Sequence, residues 1–134
     1  MFLHILNDSQ QKAFLALAKR FIEADSQIAE EEQNLLELMY AEMNLDFDAE
    51  LPGGEPAELF AAFDTRQPRV AALLELIATG HADNSFDPAE SKFIRQAADA
   101  WGIPEAEVAR MESWIQRQQG LIAEAESFWE EAAA

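Results

Sequence analysis

The 134-residue chain contains no cysteine. That excludes a disulfide framework, a thiol nucleophile and thiolate metal ligands, and it fits a reducing compartment. Positive charge is also scarce. Nine Lys and Arg stand against 26 Asp and Glu, for a net charge of -17. Between Phe21 and Thr65 there are 13 acidic residues and no Lys or Arg. A phosphate backbone needs cations to displace its counterions, so no nucleic-acid partner is expected. Anionic membrane surfaces are disfavoured for the same reason. No apolar run approaches the roughly 18 residues needed to span a bilayer, so direct membrane insertion is not expected. The opening Met1-Phe2-Leu3-His4-Ile5-Leu6 is apolar. No basic stretch precedes it and Asn7-Asp8 interrupt it, which reads against a signal peptide. The expectation is a soluble, cytoplasmic protein.

What is present is a helical pattern that repeats at a spacing of 58 residues. Ala24-Asp25-Ser26-Gln27-Ile28 aligns with Ala82-Asp83-Asn84-Ser85-Phe86. Further on, Glu32 falls on Glu90, Met43 on Trp101 and Leu45 on Ile103. Each copy reads as the end of an apolar helix, Ala-Asp, a short turn, a Glu and a second apolar helix. Such a repeat predicts two related helical hairpins packed together. The copies run over residues 10–45 and 68–103, with an acidic linker at 44–55 and a helical extension at about 104–131. One domain spanning 1–134 is the expectation from length.

Individual elements follow from local signals. Asn7, Asp8 or Ser9 caps a first helix carrying Phe14, Leu15, Leu17, Ala18, Phe21 and Ile22, onto which Leu3, Ile5 and Leu6 fold back. A second helix covers about 29–43, with Leu35, Leu36, Met39 and Met43 inward. A short helix is predicted over 56–63, and a fourth starts near Pro68 and ends at Gly80-His81. Asp87-Pro88-Ala89-Glu90 reads as N-cap, N1 proline and N3 acid of a fifth helix, which Gly102 ends. A last helix opens at Ile103-Pro104, with Val108, Met111, Trp114 and Ile115 on one face. Gly120 is expected to bend or break it. Beyond it, Leu121, Ile122, Ala125, Phe128 and Trp129 continue an apolar face, and Trp129 is a candidate contact residue. No segment alternates as a strand would. The predicted class is all-α, with six or seven helices.

The acids around the two turns are the candidate site. Asp83, Ser85, Asp87 and Glu90 are close enough in sequence to offer oxygen ligands to a hard cation. In the first copy the corresponding acids are Asp25, Glu30, Glu31 and Glu32. A calcium loop of the EF-hand kind fails where Pro88 replaces its glycine and Ile94 its last acid. The plainer reading has Asp87 and Glu90 capping a helix and Asp83 ordering the turn. His4 and His81 are the only histidines. No glycine-rich phosphate loop, serine nucleophile elbow or His-Glu metal motif accompanies them, so catalysis is not expected.

Ala82-Asp83-Asn84-Ser85-Phe86-Asp87-Pro88-Ala89-Glu90, followed by Trp101-Gly102-Ile103, resembles the TerB-like (tellurite resistance TerB) domain family. Residues 14–45 look like the first half of the same domain. The family usually has Gly after Ala-Asp, where Ser26 and Asn84 stand here. The resemblance implies a helical, intracellular, non-enzymatic module of a bacterial stress system that works through an as yet unidentified protein partner. The alternative is a divalent cation held by the turn acids Asp83, Asp87 and Glu90, or by Asp25 and Glu32. No other cofactor is expected.

Overall fold

The computed structural model describes residues 1–23, 30–46, 49–81 and 88–132. Among these residues every regular element is helical, as the periodicity predicts. A 3-10 turn, Leu3–Ile5, precedes six α-helices: α1 Asp8–Glu23, α2 Glu30–Glu42, α3 Pro56–Phe60, α4 Arg66–Gly80, α5 Pro88–Trp101 and α6 Glu105–Ala132.

The start of α1 is fixed by a reciprocal capping box. The Asn7 side chain accepts from the Gln10 amide at 2.8 Å, and the Gln10 side chain accepts from the Asn7 amide at 3.1 Å. Gln10 is itself buried, and its Nε2 donates to the Ala62 carbonyl at 3.3 Å. One side chain thus closes a helix end and ties α1 to the turn after α3. From Ala13 to Ala18 every α1 residue is buried. A helix covered all round is central, and α1 accordingly packs on α2, α3, α4 and α5. Helix α4 plays the same part in the second copy, with Ala71, Ala72, Leu73, Leu76 and Ile77 buried. It contacts α1, α2, α5, α6 and the 3-10 turn. The first helices of the two copies therefore form the middle of the molecule.

The repeat reappears where the hairpins end. After α5, Gly102 has φ +69°, its amide donates to the Asp99 carbonyl, and the Ile103 amide reaches the Ala98 carbonyl at 2.9 Å. After α2, Asn44 has φ 54°, its amide donates to Ala41, and the Leu45 amide reaches the Tyr40 carbonyl at 2.9 Å. Both are Schellman ends, and every paired position is 58 residues apart.

Short α3 is gripped by aromatic rings. Trp101 Nε1 donates to the Phe60 carbonyl at 2.9 Å. Its ring lies 5.4 Å from that of Phe60 and 5.0 Å from that of Phe63, and Phe93 bridges Phe60 to Phe21. Leu36 and Trp101 are both buried, as predicted.

Helix α4 starts at Arg66, so Pro68 falls in its first turn as expected, among the residues whose amides have no helical acceptor. Three expectations need correction. The short helix stops at Phe60, although Phe63 remains buried. The segment Leu3–Ile5 docks mainly on α4 and α2, while its tie to α1 is the Leu3 carbonyl accepting from Gln11 Nε2 at 3.4 Å. Gly120 does not break α6, which runs through it to Ala132. One glycine costs about 1 kcal/mol relative to alanine, too little to stop a helix flanked by good formers.

Candidate binding surface

Of the acids singled out in the turns, two have described side chains: Glu30 is exposed at the start of α2, and the other is Glu90. It lies in the first turn of α5 and is only 2% exposed. Pro88 is the first residue of α5, in agreement with the N1 reading. Asp25, Asp83 and Asp87 lie outside the described residues, as does the side chain of Glu32. Among the described residues no three His, Asp or Glu side chains are grouped to hold a metal ion. His81 is the C-cap of α4, where its carbonyl accepts from Gln119 Nε2 at 3.3 Å. His4 is exposed on the 3-10 turn.

A carboxylate missed in the sequence holds the start of the chain. Glu75 is 4% exposed in the middle of α4. Its Oε1 accepts from the Phe2 amide at 2.6 Å and pairs with the Met1 ammonium at 3.0 Å. Glu42 holds the same ammonium from α2, also at 3.0 Å. Burial works against the charged amine, but hydrogen bonds and charge from Glu42 and Glu75 outweigh it and raise its pKa above the ordinary 8.0. The chain start is thereby pinned over α4. A charged residue on an otherwise apolar helix face is the one signal that marks Glu75 in the sequence.

Pinning the first residues builds one wall of a groove. Phe2 and Ile5 stand opposite Val70 and Leu74 of α4, around a space of about 510 Å³. Arg66 and Leu74 continue it into a second space of about 350 Å³, whose far wall is Arg110, Met111, Trp114 and Arg117 of α6. Three of the nine cationic side chains of the chain line this second space. Glu107 answers Arg66 at 2.9 Å and Arg110 at 3.9 Å. The ring of Phe2 lies 5.9 Å from that of Trp114. Trp114, expected on one face with Ile115, is 37% exposed, because only the Val108 and Ile115 side of α6 meets the body.

The remainder of α6 has no cover among the described residues. Leu121 is 65% exposed, Ile122 52%, Phe128 59% and Trp129 72%. Single exposed apolar residues are ordinary, whereas a contiguous set on one helix face marks a contact site. The apolar face does continue past Gly120, and it points away from the body.

No described helix is long and apolar enough to cross a membrane. Comparison with curated proteins and with solved structures returns no match. Residues 53–113 match the family model described as tellurite resistance protein TerB. The match takes in α3, α4, α5 and the start of α6, including the Ala-Asp turn and the Trp101-Gly102-Ile103 helix end on which the resemblance stands. Over residues 53–113 the chain is therefore similar to TerB, in agreement with the resemblance carried by that motif.

Proposed function

We propose that the protein is a non-enzymatic interaction module of a bacterial, tellurite-resistance-like stress system, acting in the cytoplasm through contact with another protein surface. The observation that carries this reading is the bare apolar face of α6 from Leu121 to Trp129. The match to TerB supports the stress-system setting. A folded acidic body with an uncovered amphipathic helix is what helix-in-groove recognition uses.

The test is genetic and structural together. In a bacterial strain whose tellurite survival depends on this chain, the double variant Leu121→Glu and Phe128→Glu should abolish survival. Both side chains are more than half exposed, so circular dichroism and the melting temperature should match wild type. Wild-type survival with both substitutions in place would sink the reading.

A further inference from the structure

We propose that α6 pairs with α6 of a second copy in an antiparallel coiled coil, so that the C-terminal part of each helix lies along the groove-lining part of the other. This rests on the reading of the Leu121–Trp129 face as a contact surface, and it names the occupant.

The spacing is the first argument. Met111, Trp114, Gln118, Leu121, Ala125 and Phe128 succeed one another by three, four, three, four and three residues. That is the a/d seam of a coiled coil. It extends for about 26 Å at the helical rise per residue. The seam lies beside the buried Val108 and Ile115 flank, so α6 can hold the body and a partner at once. The first half of the seam is partly covered by the chain's own start: Phe2 meets Trp114, and Gln118 Nε2 lies 2.9 Å from Met1 Sδ. The second half is bare.

The two halves are complementary. In antiparallel register Met111 of one copy faces Phe128 of the other, Trp114 faces Ala125, and Gln118 faces Leu121. Each layer joins an a to a d position, and the largest side chain meets the smallest. Charge selects the same arrangement. Arg66, Arg110 and Arg117 line the groove against the single acid Glu107. The outer half of α6 carries Glu124, Glu126, Glu130 and Glu131 and no Lys or Arg. Antiparallel pairing sets Arg117 beside Glu124 of the second copy at flanking positions, where opposite charges choose orientation. Pairing only the two outer halves would bring acids against acids. A parallel pair would stack Trp114 on Trp114 and place Arg117 against Ile122. The occupant that answers both charge and apolar spacing is a second copy of this chain.

Sedimentation of the full chain tests the pairing. The expected result is a twofold dimer of the 15.0 kDa chain. Arg117→Glu alone, or Glu124→Arg alone, should weaken dimerisation by about tenfold or more, because a charge pair becomes a like-charge contact. The double variant Arg117→Glu with Glu124→Arg should restore it. The two residues are seven apart on one helix and cannot rescue each other within a monomer. Since the chain has no cysteine, mixing Gln118→Cys with Leu121→Cys and oxidising should give mainly the mixed disulfide dimer. A monomer at concentrations up to about 0.1 mM, where even weak specific pairs form, overturns the proposal. So does a dimer indifferent to both charge variants, or one lacking rescue. A monomer whose tellurite survival is still abolished by Leu121→Glu with Phe128→Glu removes the self-pairing alone and leaves the interaction reading standing.

Discussion

Trp101 ties α5 to α3 and the turn after it, through its indole N–H on the Phe60 carbonyl and its ring against Phe60 and Phe63. Trp101→Ala should cost on the order of 3–5 kcal/mol, as large core truncations do. Trp101→Phe keeps most of the ring contact and removes one of two donors to the Phe60 carbonyl, which still accepts from the Phe63 amide at 3.1 Å. Its cost should be about 0.5–1.5 kcal/mol, the net contribution of one hydrogen bond. Urea denaturation reads both, and equal losses would mean the hydrogen bond contributes nothing. At the other end of the chain, the Met1 ammonium has a pKa raised above 8.0 in the folded state. A raised pKa stabilises the fold below the unfolded value, and the contribution is lost as pH rises through the folded one. The melting temperature should therefore fall between about pH 7 and about pH 9 more in wild type than in Glu42→Gln, where one of the two carboxylates is gone. Parallel slopes would show that the ammonium is not held.

Helix ends explain which parts of the fold were legible in the sequence. Gly102 announced its own Schellman end, since glycine there has few other uses. Asn44 makes the same end after α2, yet among the acids and turn residues that follow it reads as the first residue of a linker. Its place 58 residues before Gly102 was the available signal. At φ 54° and +69° a Cβ carries a backbone penalty, smaller for Asn than for other side chains. Asn44→Gly should thus be neutral to stabilising, by up to about 1 kcal/mol, whereas Gly102→Ala should lose about 1–2 kcal/mol. Thermal unfolding of the two variants checks the asymmetry, and a destabilised Asn44→Gly would contradict it. Glu75 and Gln10 were not legible, because their partners are backbone groups brought up by tertiary packing: the Phe2 amide and the Ala62 carbonyl. The outward turn of Trp114, Leu121 and Phe128 was hidden for a related reason. Periodicity places them on one face but does not say whether that face meets the body.

For the molecule as a whole, the net charge of -17 makes any salt stabilising, since screening relieves self-repulsion. Calcium or manganese should raise the melting temperature no more than sodium chloride of equal ionic strength. A cation-specific rise, abolished by Glu90→Gln, would favour the cation-binding alternative. Helix α6 carries a further consequence for how the molecule breathes. A free 12-residue helix is marginal in water, because starting one is costly. Residues 121–132 do not start a helix; they extend one that Val108 and Ile115 already hold against the body. In an isolated chain, amide protons on either side of Gly120 should therefore exchange with solvent deuterium on very different clocks. Those near Ile115 would wait for the core to open, whereas those near Phe128 would be released by fraying alone. A second helix laid along the seam would slow the outer amides toward the pace of the inner ones, and the step at Gly120 would shrink as protein concentration rises.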